Sequence, residues 1–369
     1  MAPFPHHRVA SANPRTRGRE LGAAAREQIH GSVAVYEETF AYHTGLAWAE
    51  VAELALEFAE PIAAYDPAML AEIEGIAAGA GLSTADVLAL NARTEIMFGL
   101  KVPPLPECTA FCAGPGATAD GRVLLGQNWD WRTRTSETVA SFEVDQGPGG
   151  PAFLMVAEAG LIGKTGFNEH GVGVVVNALV SDRDVGERLV PTHAVLRGIL
   201  NSATVEEALA AIVRARRGAS AAYTIAGPDG AAVCAEVGPG GLETVRLIAP
   251  AGGLLFHTNH FLGDAGLGDL GREMWADSVA RLARIELLLG GRRGELSAAL
   301  VEEALRDREG YPDAICRFPN PADHPVLRGS TVASVVMDLS ARTADVTAGP
   351  PSESEYERLR PTFAAVEAA

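Results

Sequence analysis

The chain has 369 residues, 47% of them hydrophobic, with Gly 40 and Pro 22 and no low-complexity tract, enough to bury a core as one large layered domain. A formal net charge of −17 disfavours nucleic acid and anionic membrane surfaces as partners. Four cysteines in this length make no disulfide framework, and neither a signal peptide pattern nor a bilayer-spanning apolar run is visible, so a cytoplasmic protein is expected.

Up to Pro103 the apolar spacing is helical. One long helix is expected over 19–39 and another over 47–58. A third over 67–78 carries Met69, Leu70, Ile73 and Ile76 on one face. Ser83, followed three residues later by Asp86, forms a capping-box signal for a further helix reaching about Phe98.

Past Pro106 the period changes. Strands are expected near 108–112, 122–127, 139–144, 153–157, 173–177, 223–226, 233–237, 244–248 and 254–258, mostly separated by Gly, Pro or Asp turns. Helices are expected over 193–201, 205–215, 272–289 and 296–305, and a closing hairpin over 332–339 and 343–347. Strands in runs with helices in pairs between them argue for antiparallel sheets covered by helical layers, an α+β architecture. The Gly-rich stretches 147–150 and 238–241 lack the Lys-Ser/Thr of a phosphate loop and read as hairpin turns.

Cys108 follows the run Pro103-Pro104-Leu105-Pro106-Glu107 and opens a strand. A thiol there suggests a nucleophile unmasked by cleavage of Glu107–Cys108. The freed α-amino group, titrating at about 7.7–8.0, could then take the proton of a thiol whose ordinary pKa is about 8.5. The alternative is a cysteine that only packs, as Cys112, Cys234 and Cys316 are read to do. Asn259, in His257-Thr258-Asn259-His260, could donate to an oxyanion, or could cap a turn flanked by solvent-facing histidines. Asp130, in Asn128-Trp129-Asp130, would be brought near the thiol by a hairpin, or could make an ordinary Asx turn. Arg317, beside Cys316, could pair with a site carboxylate or with a surface acid. No metal or cofactor is called for.

The order of these segments is specific. Cys108-Thr109-Ala110-Phe111-Cys112, Gly126 to Asp130, Glu158 to Asn168, His257 to His260, Tyr311-Pro312 and Ile315-Cys316-Arg317 together resemble the acyl-coenzyme A:6-aminopenicillanate acyltransferase family of N-terminal nucleophile hydrolases. Penicillin V acylases and bile salt hydrolases resemble the chain more distantly. The resemblance implies a four-layer αββα sandwich, and self-cleavage into a small chain, 1–107, and a large chain, 108–369, that stay associated as one domain. It implies Cys108 as nucleophile and base, Asn259 as oxyanion donor, and Asp130 and Arg317 as residues that support cleavage and hold the site. Asn177 is a further oxyanion candidate. Glu107 stands where the fungal acyltransferase has Gly, and the turn from Gly114 to Gly121 is longer. The implied activity is that of a cysteine amidase acting on a small N-acyl compound. The alternatives are an acyltransferase using acyl-coenzyme A or an amide as donor, and a binding protein of the same fold.

Overall fold

The computed structural model of the chain describes residues 4–103, 108–263 and 266–366. It opens with a strand, β1 (His6–Ala10), and then the helices α1 (Pro14–Ala24), α2 (Arg26–Thr44), α3 (Trp48–Ala55), α4 (Ala59–Tyr65), α5 (Pro67–Ala80), α6 (Thr84–Asn91) and α7 (Arg93–Gly99). The strands β2 (Thr109–Ala113), β3 (Leu124–Arg132), β4 (Val139–Asp145), β5 (Phe153–Glu158), β6 (Thr165–Asn168) and β7 (Gly173–Ala178) follow. Two helices, α8 (Thr192–Leu200) and α9 (Val205–Arg214), precede β8 (Ala221–Ala226), β9 (Ala232–Val237), β10 (Val245–Ile248) and β11 (Leu254–His257). The chain closes through α10 (Leu270–Met274), α11 (Ala276–Leu289), α12 (Ala298–Leu305), β12 (Gly329–Asp338), β13 (Thr343–Ala348) and β14 (Glu357–Leu359).

The strands make two sheets. One has the order β1-β4-β5-β6-β7-β8-β9-β10 and the other β11-β2-β3-β12-β13-β14. Pairing is antiparallel except between β1 and β4. The sheets face each other where β2 and β3 meet β7 and β8. On the outer side of the larger sheet, α2 lies on β5, α8 on β6 and β7, and α9 on β8; on the smaller sheet, α11 and α12 cover β11, β3 and β12. The layers are therefore helix, sheet, sheet, helix: the expected α+β αββα sandwich.

Several expected helices are divided. The 19–39 stretch is two helices turning at Ala25, and the 83–98 stretch turns at Ala92. Alanine is the strongest helix former, so no local signal marks either break. Tertiary packing sets them. The first break lets α1 lie against α5 at very short range. A Cβ on Gly18, Gly22, Gly75 or Gly79 would collide with a backbone carbonyl of the other helix. The Ser83–Asp86 capping box is present, with Ser83 N donating to Asp86 Oδ2 at 2.8 Å and Asp86 N to Ser83 Oγ at 3.2 Å. Asp86 also accepts from Trp48 Nε1 at 2.7 Å, which ties α3 to α6.

Two buried ion clusters join the N-terminal helices to the later part of the chain, one to α8 and one to β5. Glu72 on α5 accepts from Arg17 Nε at 2.9 Å and from both terminal nitrogens of Arg197 at 2.9 and 3.0 Å. Burial pushes its carboxyl up, but Arg197 and Arg17 outweigh that and hold it below its ordinary value. Arg93 on α7 donates to Glu158 at 2.6 Å, at the head of the Glu158 to Asn168 motif. That motif is pinned again by Asn91, whose amide donates to Gly160 O at 2.8 Å and accepts from Ile162 N at 3.0 Å.

Candidate active site

Cys108 sits immediately before β2 and is fully buried. Its φ is +54°, in the left-handed region that costs a residue with a Cβ roughly 1–2 kcal/mol. Its carbonyl is held from two directions: Asn177 Nδ2 on β7 donates at 3.0 Å and Arg281 Nη1 on α11 at 2.9 Å. Gln127 Nε2 reaches its Sγ at 3.5 Å, and Gln127 Oε1 accepts from Val176 N at 2.9 Å, so this side chain bridges the two sheets. Glu107, the other side of the expected cleavage bond, lies outside the described residues.

β3 runs on through Asn128-Trp129-Asp130 to Arg132, and all nine of its residues are buried. The Asx turn considered at Asp130 is absent because both faces of this strand are covered. Side chains alternate across a strand. Gln127 therefore faces the thiol between the sheets, whereas Asn128 donates to Leu305 O and Ile315 O, both at 2.8 Å, on the helical side. Asp130 is on that helical side too, across the sheet from the thiol. Its Oδ1 accepts from Thr331 Oγ1 at 2.6 Å, and its Oδ2 stands 3.7 Å from Arg317 Nε, neither of those two atoms having a hydrogen-bond partner among the described residues. Burial pushes the Asp130 carboxyl up to about 6, against the opposing pull of Arg317, Arg281 and Thr331.

Arg317 also pairs with Asp277 and Asp313. Asp277 is the hinge of the cluster, because its Oδ2 accepts from Arg281 Nε at 3.0 Å as well. Arg281 in turn donates to Cys108 O, to Thr109 Oγ1 at 3.1 Å and to Asn259 Oδ1 at 2.8 Å. Asp130 and Arg317 thus connect to Cys108 through Asp277 and Arg281. Sequence reasoning missed both Asp277 and Arg281. The Asp-x-x-x-Arg spacing within α11 is the only local signal, and it is common on helix surfaces.

Asn259 follows β11 in a turn fixed by Ser278. Its N–H donates to Ser278 Oγ at 2.7 Å, and Thr258 Oγ1 donates to Ser278 O at 2.9 Å. The flanking histidines are buried, contrary to the solvent-facing alternative. His257 Nε2 is 2.9 Å from Glu236 Oε1, and His260 Nδ1 is 2.8 Å from Ser278 Oγ. Burial, Arg272 and His257 press His260 down to about 4, so it is neutral near pH 7. Arginine can only donate, so the Asn259 atom facing it must be oxygen. The amide nitrogen then donates one proton to Ala178 O at 3.1 Å and, among the described residues, keeps the other. Asn177 differs: its amide nitrogen donates to Cys108 O and, at 3.3 Å, to His257 O.

The remaining thiols carry no such surroundings. Burial pushes Cys112 up to about 12 and pushes Cys234 and Cys316 up as well. Among the described residues no group of three or more His, Cys, Asp or Glu side chains could hold a metal ion, and no helix is long and apolar enough to cross a membrane.

Two facing sheets between helical layers, with a buried cysteine at the foot of an inner strand, make a four-layer αββα sandwich. Residues 117–353 match the family model described as acyl-coenzyme A:6-aminopenicillanic acid acyl-transferase. The chain is 32% identical over 351 residues to the acyl-coenzyme A:6-aminopenicillanic-acid-acyltransferase 40 kDa form of Emericella nidulans, a match spanning 95% of this chain and 94% of that one. Among solved structures, an arginine-to-leucine variant of conjugated bile acid hydrolase from Clostridium perfringens aligns with a TM-score of 0.45 at 14% identity, covering 69% of this chain and 98% of the other. Penicillin V acylase from Agrobacterium tumefaciens aligns at 0.39 and 14%, covering 65% and 83%. The chain belongs to the acyl-coenzyme A:6-aminopenicillanic acid acyltransferase family, and it is an enzyme of the hydrolase or acyltransferase type.

Proposed function

We propose that the protein is a self-processing cysteine amidase that cleaves an amide of a small N-acyl compound through an acyl-thioester on Cys108. The observation that carries this is the clamp on Cys108, a buried thiol whose backbone carbonyl is gripped by Asn177 and Arg281 while its φ is held at +54°.

For self-cleavage, Sγ attacks the carbonyl carbon of residue 107. The new C–S bond replaces the C–N bond, and the departing nitrogen takes the thiol proton to become the α-amine. Water then hydrolyses the thioester, leaving a carboxylic acid on residue 107 and restoring the thiol. The left-handed φ supports this step, because φ involves the residue whose N-terminal bond breaks, and cutting relieves the strain. The two products are held together: apolar residues on both sides of the cut, among them Ile29, Phe40 and Leu90 before it and Phe142, Leu154 and Val175 after it, belong to one hydrophobic cluster. Glu72–Arg197 and Glu158–Arg93 also span the cut.

In turnover, the free amine accepts the thiol proton as Sγ bonds the acyl carbon, and it delivers that proton to the leaving amine nitrogen. Asn259 offers its uncommitted N–H to the oxyanion. Asn177 keeps the Cys108 backbone in place. Water completes hydrolysis; an amine attacking the same thioester instead makes the reaction an acyl transfer, the alternative that the name of the Emericella relative favours. On a denaturing gel the wild-type chain is expected to split in two while Cys108→Ala migrates whole, and intact masses of the two pieces should sum to the precursor plus one water. Equal splitting by both proteins would sink the proposal.

A further inference from the structure

Arg281 touches both proposed catalytic residues yet has no task of its own in the reaction. It is 2% exposed and sits on α11 in the outer helical layer, while its guanidinium passes to the ends of two strands of the sheet beneath. One terminal nitrogen donates to Cys108 O and Thr109 Oγ1, the other to Asn259 Oδ1, and Nε donates to Asp277. We infer that Arg281 is a positioning residue that sets the oxyanion donor and the nucleophile in register with one planar group. The inference rests on the assignment of Cys108 as nucleophile and Asn259 as oxyanion donor.

Three physical facts carry it. A guanidinium is rigid, so the two groups bonded to its terminal nitrogens are held at a fixed separation. The bond to Asn259 Oδ1 and the amide nitrogen's bond to Ala178 O together fix which way that amide points, since the reverse orientation would set N–H against N–H and oxygen against oxygen. Without Arg281, nothing else among the described residues bonds Asn259 Oδ1, and the amide is held by its single bond to Ala178 O, about which it can tilt away from the oxyanion. The bond to Cys108 O matters for a different reason. Once the preceding peptide bond is cut, Cys108 is a chain end, and chain ends fray unless tied down. Arg281 and Asn177 together tie it, from the helical layer and from the opposite sheet. Asp277 supplies the compensating charge that a buried arginine needs, and through it Arg317 and Asp130 brace the same fork.

The test is acylation of the purified enzyme by p-nitrophenyl acetate, followed as release of p-nitrophenolate, with Cys108→Ala, which stays uncut, as the reference for release that does not need the nucleophile. Asn259→Ala, Arg281→Ala and the double variant are compared, folding of each being checked by urea denaturation. Arg281→Ala is expected to lower the limiting acylation rate by about two orders of magnitude, as loss of a donor does, with little change in half-saturation. The double variant should be far less slow than the product of the two losses, because the part of the Arg281 effect that runs through Asn259 is already gone and only its tether on Cys108 O is left to lose. Losses that multiply in the double variant overturn the inference. Should Arg281→Ala fail to fold, Arg281→Lys serves: an ammonium keeps the charge but cannot hold both partners in one plane. Its loss should again shrink in the Asn259→Ala background; a loss that persists there in full overturns the inference. Release by Cys108→Ala as fast as by wild type would overturn the nucleophile assignment and this inference with it. Multiplying losses with an inert Cys108→Ala would overturn the inference alone.

Discussion

Asp130 offers a test in which the sign of an effect decides. It is a buried carboxyl facing two arginines at a distance, and burial is the stronger influence, raising it from 3.8 to about 6. A group whose folded pKa is raised contributes stability fully below its unfolded pKa and loses it as pH climbs through the folded one. Between roughly pH 4 and 6 the unfolded chain ionises Asp130 while the folded chain resists. At 1.36 kcal/mol for each pH decade, the full loss is ~3 kcal/mol, of which ~2 kcal/mol falls between about pH 4.5 and 7.5. The variant is Asp130→Asn, which cannot titrate. Both proteins carry Cys108→Ala so that neither is cut. His260 and the other titrating groups are common to both and cancel in the difference. Unfolding free energies from urea titrations at the two pH values should show the parent losing ~2 kcal/mol relative to the Asn variant on going to the higher pH. A parent that instead gains on the variant would mean that Arg317 and Arg281 dominate and hold the carboxyl low, and the reasoning would be refuted.

Two further predictions concern the frame that holds the site. Glu72→Ala strands Arg17 and Arg197 without their carboxylate, and removing one partner of a buried pair typically costs about 3–5 kcal/mol; an unchanged urea midpoint would contradict the role given to this cluster. Gly126→Ala would place a methyl against Val335 O and 2.7 Å from the Phe111 ring, a backbone and an aromatic neighbour that cannot swing away, so a loss of about 1–3 kcal/mol and a lower Tm are expected. Gly116→Ala, which meets nothing within 4 Å, is the control and should leave Tm in place.

The parts of this fold legible in the sequence are those where local chemistry and tertiary packing agree. Strands β7 to β10 and β12 to β13 are short apolar runs between Gly, Pro or Asp turns, and they sit within a residue or a few of where the period places them. The helix breaks at Ala25 and Ala92 are not legible, because nothing in the local sequence opposes continuing the helix there. β3 reads too short in sequence for a related reason: Asn128, Trp129 and Asp130 look like a turn until Leu305 O, Ile315 O and Thr331 appear on the far side to receive them. Short β1, β6 and β14 carry too few residues for a period to show.

The site divides along the same line. Cys108, Asp130, Asn259 and Arg317 can be named because each sits in a short run of unusual composition. What ties them together cannot, because Arg281 and Asp277 lie in an ordinary amphipathic helix whose sequence is satisfied by surface pairing. Their meaning comes only from where α11 crosses the end of β2 and β11. That placement also changes what the hairpin does. A hairpin alone suggests that Asp130 would stand beside the thiol; alternation along β3 sends it to the opposite face, and Gln127, with Trp129 and Trp131, takes the thiol's side. Any influence of Asp130 on Cys108 therefore has to pass through a cation, and two arginines sharing Asp277 are the route the helical layer provides. On this reasoning α11 is as much a part of the active site as the strands, and a substitution that shifts it should show in the position of Asn259 before it shows in the thiol.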